Sequence, residues 1–305
     1  MSRLSVTLLL LLSMLLAVPS EAGGEKTCKP PKKFLDDPPL DAKQKKLLKK
    51  LLDTEKTYGD CEESISCCLA REPISRFAGR LWGGTVRMLA NDFTEIEIRE
   101  EFARRRKSFE NPVHPLKLDD RPLLGRPDAA VKVVEYSEYE CPFCRQTAVI
   151  LKAVIDKFDP AQVALVYKYF PLVRSHPMAL GAARMSVLAE REGRFWEMYH
   201  ELTDNPPKLE PDALADLARK LGLSGTGLTD PTTLKPIDED LREGNKIGVD
   251  GVPAVYVNGR EYIAFRDPIS IAERILEELD RMGIEPRGRE EAEKQEAKGP
   301  DRGPR

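Results

Sequence analysis

One short stretch of the chain carries two closely spaced cysteines: Glu140-Cys141-Pro142-Phe143-Cys144. An apolar run at residues 131–136 precedes it and is typical of a strand, and residues 142–158 have the apolar spacing of a helix. Cys141 is therefore predicted at the start of a helix, where unpaired backbone N–H groups and the helix dipole favour a thiolate. The second cysteine lies one turn further along. This geometry is typical of a dithiol/disulfide redox centre; a structural disulfide or half of a zinc knuckle is the alternative interpretation.

Composition and the N-terminus limit the class of protein. The chain has 305 residues, enough for more than one domain, and a formal charge of −3 with acids and bases interspersed, so no nucleic-acid partner is expected. Residues 1–22 combine Arg3, a leucine-rich run and a small-residue cleavage motif, which predicts a secretory signal peptide. The protein is therefore expected to be periplasmic or secreted, where disulfides persist.

The region that follows, residues 23–110, is predicted to be helical, with about three amphipathic helices between residues 40 and 110. It contains four further cysteines, which are candidates for structural disulfides: Cys28, Cys61, Cys67 and Cys68. A bond between the adjacent Cys67 and Cys68 would be strained, so two of the three full pairings remain open. A zinc site is the other alternative, although the spacing does not match the usual ligand pairs.

The pattern changes after a proline-rich linker predicted at residues 111–128. Residues 129–284 alternate strands and helices, with a long helical insertion at about 178–244 and a hairpin predicted across Asn258-Gly259. The order β-α-β, insertion, β-β-α predicts an α/β, thioredoxin-like fold with an inserted helical domain, preceded by a small all-helical N-terminal region. Residues 285–305 are charged and are predicted to form a disordered tail.

Several motifs follow one another along the chain: Glu135-Tyr-Ser-Glu-Tyr-Glu-Cys-Pro-Phe-Cys144, Lys168-Tyr-Phe-Pro-Leu172, His176-Pro177, Arg194-Phe-Trp-Glu-Met-Tyr-His200 and Gly251-Val-Pro-Ala-Val-Tyr-Val-Asn-Gly259. In this order they resemble the motifs of the secreted thiol:disulfide oxidoreductases of the DsbA type. The resemblance covers about residues 118–283.

The resemblance implies dithiol–disulfide exchange without a cofactor. Cys141 would be the exposed nucleophile, and Cys144, lying deeper, would resolve dead-end complexes. The implied partners are reduced or unfolded exported proteins and a membrane or soluble redox partner that resets the cysteine pair.

The resemblance also implies roles for residues around the cysteines. Pro253 matches the family's cis-proline, and Val252, Pro142 and Phe143 would contact substrate. Valine before the proline is closer to the oxidase branch than to the isomerases. Glu135 and Lys168 would form a charged pair beneath the resolving cysteine, with a salt bridge at the sheet edge as the alternative.

Two departures from the family pattern leave other functions open. Pro142-Phe143 replaces proline-histidine, which removes a cation that would stabilise the thiolate. The N-terminal region faintly resembles the small helical thiol domains of cytochrome c maturation but lacks their C-x-x-C. The competing hypotheses are therefore a disulfide isomerase that dimerises through residues 40–110, an exported thiol reductase, and a non-catalytic binding module.

Overall fold

The computed structural model describes residues 28–36, 38–204, 209–223 and 228–290. The predicted signal peptide at residues 1–22 and the last part of the predicted tail, residues 291–305, lie outside these ranges. None of the helices within them has the length and apolar character that a bilayer crossing requires.

The N-terminal region has three longer helices and two short ones. They are α1 (Lys33–Asp36), α2 (Ala42–Thr54), α3 (Ile65–Leu69), α4 (Arg76–Ala90) and α5 (Glu95–Glu110). Thr94-Glu-Ile-Glu97 has the sequence form of a capping box, and α5 begins with one, because Thr94 and Glu97 each accept the other's backbone N–H. Asp41 and Gln44 form a second capping box at α2. Apolar side chains from these helices form a core of their own, centred on Leu48, Leu51 and Leu81.

Two disulfides connect this region, Cys28–Cys67 and Cys61–Cys68. This is one of the two pairings that the sequence leaves open. Cys61 and Cys68 are buried in the core of this region. The adjacent Cys67 is bonded instead to Cys28, in the segment that precedes α1.

The second part of the chain contains one sheet and its covering helices. The elements are β1 (Leu123–Leu124), β2 (Val131–Ser137), α6 (Pro142–Ile155), β3 (Val163–Tyr169), α7 (Ala179–Arg191), α8 (Phe195–Thr203), α9 (Pro211–Lys220), a 3₁₀ turn (Pro231–Thr233), α10 (Leu234–Ile247), β4 (Ala254–Val257), β5 (Arg260–Tyr262) and α11 (Pro268–Arg281). The strand order is β1-β3-β2-β4-β5, with β2 and β3 parallel and the other neighbours antiparallel. The predicted thioredoxin-like fold with a helical insertion is confirmed.

The predicted hairpin turn is also present. Asn258 and Gly259 join β4 to β5 and both have positive φ, +48° and +76°. Two successive left-handed residues make the turn whose twist matches that of the flanking strands. At Gly259 a side chain would also collide with the backbone of His114, since a Cβ there would lie 2.5 Å from its carbonyl oxygen.

Each face of the sheet is covered by different elements. Apolar residues of α6 and α11, such as Leu151 and Ile275, pack on one face with Val133. The other face, which carries Val134 and Tyr136, packs against α10 and the chain at residues 116–118. Because side chains alternate along a strand, neighbouring residues of β2 face different layers.

Two segments differ from their predictions. The predicted linker at residues 111–128 contains strand β1, and His114 donates its N–H to the carbonyl of Gly259. A strand of two residues has no alternating pattern that could reveal it. The first part of the predicted tail, residues 285–290, is bound to the turn after α6, where Arg287 pairs with Asp159 at 2.6 Å. High charge suggested disorder there, but ion pairing and backbone hydrogen bonds fix this part of the chain.

The N-terminal region packs against β5 and α11 of the same chain. Helix α5 covers the free edge near β5, where Ser108 Oγ accepts the N–H of Ile263 and Glu101 Oε1 accepts that of Phe265. Beside this edge the buried Arg105 forms ion pairs with two carboxylates of α11, Glu273 at 2.9 Å and Glu277 at 3.5 Å. The hydroxyl of Tyr58 donates to Glu277 at 2.9 Å.

Replacing Arg105 with alanine is expected to lower the free energy of unfolding by about 3 kcal/mol, because Glu273 and Glu277 lose their shared buried cation and keep the longer pairs with Arg87 and Arg274. Urea unfolding of the disulfide-intact protein measures this change. Lys49→Ala is the matched control, since Lys49 pairs with Asp53 at the surface, and it should cost less than about 1 kcal/mol. Equal effects of the two substitutions would contradict this account of the interface.

Candidate active site

The two cysteines of the C-x-x-C lie at the start of α6. Cys141 is the N-cap residue, and Pro142 occupies the first helical position, where proline needs no hydrogen-bond acceptor for a backbone N–H. No side chain caps this helix end, so the first-turn N–H groups face the Cys141 position. Both cysteines are free thiols in the structure.

Exposure distinguishes the two cysteines less than the resemblance implied. Cys141 is 5% exposed and Cys144 is 1% exposed. The predicted exposed nucleophile is therefore only slightly accessible, because the neighbouring 251–253 loop covers it; the Val252 carbonyl oxygen lies 4.0 Å from the Cys141 sulfur. Beside it, Pro142 and Phe143 project from the surface, and Phe143 is 68% exposed.

The Val252–Pro253 peptide bond is cis, as the resemblance implied. Pro253 is buried immediately before β4, which pairs antiparallel with β2. Since β2 leads to Cys141, this pairing brings the loop next to the redox turn. The backbone carbonyl of Val252 therefore lies beside the Cys141 sulfur. Pro253 immediately precedes strand β4.

Glu135 lies in the α6-facing layer, fully buried. The hydroxyl of Tyr199 on α8 donates to its carboxyl at 2.9 Å. Burial raises the pKa of Glu135 to about 7, partly offset by hydrogen bonds from Ser137 and Tyr199. Burial also raises the pKa of the Cys144 thiol far above its ordinary value, and the charges of Glu135 and Cys141 act in the same direction. A negative charge on Glu135 therefore disfavours a negative charge on the Cys144 sulfur.

Lys168 does not form a pair with Glu135, which corrects the prediction. In the β2–β3 register Glu135 is opposite Tyr167, whereas Lys168 is opposite Tyr136, one residue further along. One residue along a strand reverses the face, so Lys168 points to α10 on the other side of the sheet. There it pairs with Asp240, at 3.1 Å, and with Glu243. The alternative, a salt bridge between these two residues at the sheet edge, is also absent, because Glu135 and Lys168 lie on opposite faces of the sheet.

Two residues near the site were not recognised as part of it from the sequence. Burial raises the pKa of both Glu135 and Cys144, and the side chain of Ser137 acts against this effect at each of them. Its position, two residues after Glu135 in one strand, was the available signal, since such residues share a face. Tyr199 belongs to the apolar core of the insertion, but its hydroxyl also reaches Glu135.

The raised pKa of Glu135 predicts a pH dependence of stability. The folded state binds this proton more tightly than the unfolded chain, so the free energy of unfolding is highest below about pH 4.5 and falls as pH rises to about 7. The 2.5-unit difference corresponds to about 3 kcal/mol. Glu135→Gln removes this proton, so the variant should gain stability relative to the parent protein between pH 4.5 and 8. Urea unfolding across this range measures it; a constant difference would contradict the account.

Known proteins include relatives that are similar to this chain in sequence. A sequence model of the family described as Thioredoxin matches residues 117–277. Disulfide bond formation protein D of Bacillus subtilis is 31% identical over 179 residues, which are 52% of this chain and 77% of that protein. A Na(+)/H(+) antiporter, NhaA 1 of Mycolicibacterium gilvum, is 31% identical over 159 residues, 49% of this chain. The match spans only 25% of the antiporter's own length.

Solved structures include similar folds. The crystal structure of oxidised BdbD from Bacillus subtilis has 24% identity and a TM-score of 0.47, covering 56% of this chain and 98% of that one. The catalytic domain of Proteus mirabilis ScsC has 22% identity and a TM-score of 0.47, covering 60% and 98%. The match of the family across more than half of the chain and the relationship to disulfide bond formation protein D establish that the chain belongs to the thioredoxin family, together with that protein.

Proposed function

We propose that the protein oxidises pairs of cysteines in exported proteins by disulfide exchange through Cys141 and Cys144. The proposal rests on the position of Cys141 at a helix N-terminus that no side chain caps. Cys144 is buried one helical turn further along. A helix N-terminus stabilises a thiolate and so makes the outer sulfur a good leaving group.

The exchange proceeds in two steps. A substrate thiolate attacks the Cys141 sulfur of the oxidised pair; a substrate–Cys141 disulfide forms, and the Cys141–Cys144 bond breaks with its electron pair on Cys144. A second substrate thiolate then attacks the substrate sulfur of this mixed disulfide, and Cys141 leaves as a thiolate. The substrate loses two electrons, which the cysteine pair gains. A redox partner must afterwards take these two electrons to restore the disulfide.

Glu135 has the properties of a proton donor and acceptor for Cys144. The buried Cys144 strongly favours the protonated thiol, so its thiolate needs a proton at once when the disulfide opens. Burial raises the pKa of Glu135 to about 7, so its carboxyl can donate or accept a proton at neutral pH. Lys168 has no part in this transfer, because it faces the other side of the sheet.

Substrate would bind over the rim formed by Val252, Pro142 and Phe143. The exposed Phe143 ring offers an apolar contact, as an unfolded polypeptide would need. The Val252 carbonyl beside the Cys141 sulfur could accept a backbone N–H from an extended substrate segment.

We also propose an exported location, which the two N-terminal disulfides support, since such bonds persist in oxidising compartments. The isomerase hypothesis requires dimerisation through residues 40–110. In this chain α5 of that region already packs against β5 and α11, so the face formed by Arg105 and Ser108 is occupied. This contact argues against a dimer formed through that face, and it therefore favours the oxidase hypothesis over the isomerase hypothesis.

The reduction potential of the Cys141–Cys144 pair tests the proposed direction. The protein is equilibrated with glutathione buffers, and the fraction of dithiol is followed by alkylation. A value nearer to the ~−120 mV of a strong oxidant than to the ~−270 mV of thioredoxin supports disulfide donation. A value at or below that of thioredoxin would contradict it and favour an exported reductant.

A further inference from the structure

The segment between β2 and Cys141 is attached to the loop that follows β3. The buried carboxyl of Glu138 contacts Nδ1 of His176, and its second oxygen accepts the N–H of Glu140 at 2.6 Å. The carboxylate of Glu140 in turn accepts the N–H of Met178, at the start of α7, at 2.7 Å. Two carboxylates therefore connect the redox turn to one neighbouring loop.

The same segment also contacts the redox helix directly. Burial raises the pKa of the Cys144 thiol, and the backbone of Glu138 acts against this effect. Nη1 of Arg145 donates to the carbonyls of Tyr139 and Glu140, each at 2.8 Å. A displacement of residues 138–140 would consequently move the residue immediately before Cys141 and change the surroundings of Cys144.

The charges around this segment are unusual for a site that must hold a thiolate. Glu138 is buried three residues before Cys141, and Glu140 is adjacent to it, so both carboxylates oppose a negative charge on that sulfur. The C-x-x-C itself contains no cation, since Pro142 and Phe143 lie between the cysteines. Among the described contacts of this segment, the groups that can offset the carboxylates are His176 and Arg145.

We propose that His176 is a positioning residue for the Cys141–Cys144 pair, acting through Glu138. Its imidazole contacts the buried carboxylate through Nδ1 and fixes the segment that leads to Cys141. His176 thereby supplies, from a neighbouring loop, a partner for the carboxylate that lies three residues before Cys141. The inference rests on the proposed function, because it concerns the redox equilibrium of the same two sulfurs.

The test is the equilibrium of purified variants with glutathione. His176→Gln is expected to shift the equilibrium about fivefold towards the Cys141–Cys144 disulfide, or about 20 mV at about 30 mV per tenfold. The reason is that an unpaired carboxylate destabilises the thiolate of the reduced form. Glu138→Gln should shift it in the opposite direction, and the double variant Glu138→Gln/His176→Gln should return towards the parent value.

His200→Gln is the matched control. His200 also pairs with a carboxylate, Asp204 at 2.7 Å, but on the exposed surface of α8. It should leave the equilibrium unchanged. An unchanged equilibrium in His176→Gln, with only a lower melting temperature, would overturn the inference, as would an equal shift in His200→Gln or a double variant that stays at the His176→Gln value.

These outcomes are distinct from a failure of the proposed function. If the Cys141–Cys144 pair of the parent protein does not exchange with glutathione at all, the proposed function is wrong and the inference falls with it. If the parent pair exchanges and Cys141→Ser abolishes exchange, an unchanged equilibrium in His176→Gln overturns the inference alone.

Discussion

Replacing Cys141 with serine is expected to abolish disulfide transfer to a reduced, unfolded test protein. The loss should be at least ~10³-fold, the scale observed when an enzyme loses its nucleophile. Cys144 cannot take over, because it is 1% exposed and burial holds its thiol in the protonated form. The measurement is the rate at which the test protein regains its disulfides under limiting oxidised enzyme.

The control is that the variant keeps the Cys28–Cys67 and Cys61–Cys68 disulfides and the helix content of the parent protein. Serine at position 141 removes one sulfur at a helix N-cap, where serine is itself a favoured residue, so the fold should be retained. Undiminished transfer by this variant would rule out Cys141 as the nucleophile and favour a non-catalytic binding module.

Replacing Cys144 with serine is expected to have a different and equally large effect: a substrate protein with a single cysteine should remain bonded to Cys141. Without the buried thiol, a mixed disulfide on Cys141 loses its internal route of release. After the variant is activated by oxidation with a small disulfide, most of it should migrate as higher-mass adducts on non-reducing gels. Added reductant should remove these adducts.

Two comparisons make the trapping experiment specific. The double variant Cys141→Ser/Cys144→Ser should form no adducts, because the sulfur that the substrate thiolate attacks is absent. The parent protein should show few adducts, since Cys144 resolves them. Equal adduct formation by the double variant would show that the N-terminal cysteines, and not Cys141, bind substrate, which would contradict the proposed mechanism.

Local sequence signals predicted the parts of this structure that depend on local chemistry. The C-x-x-C after an apolar strand predicted the helix start at Cys141, Thr94 and Glu97 predicted a capping box, and Asn258-Gly259 predicted a hairpin. In each example the physical cause lies within a few residues: orphan N–H groups at a helix end, or backbone angles that few residues adopt.

Predictions that needed non-local information were wrong or incomplete. Lys168 was placed with Glu135 because both are charged residues in apolar strands, but the register between the strands puts them on opposite faces. The sequence of one strand does not contain that register. The partners of Lys168, Asp240 and Glu243, come from a helix about 70 residues away in sequence.

Segments outside the helices and strands also depend on contacts with distant parts of the chain, which the local sequence does not show. Residues 285–290 have the composition of a tail, yet they bind a turn that only the folded chain provides. The pairing of the N-terminal cysteines was open for the same reason. In contrast, the electrostatic setting of Glu135 was partly foreseeable, since a carboxylate in an apolar strand must be buried and its pKa raised.

The most direct test of the central claim is to follow each cysteine during a single turnover. Fully oxidised protein is mixed with one equivalent of a reduced two-cysteine peptide, quenched with an alkylating agent and mapped by mass spectrometry. The account predicts that Cys141 and Cys144 become alkylated in proportion to the peptide disulfide formed, while Cys28–Cys67 and Cys61–Cys68 stay bonded. A peptide that stays reduced beside an intact Cys141–Cys144 bond, or a disulfide drawn from the N-terminal pairs, would contradict it.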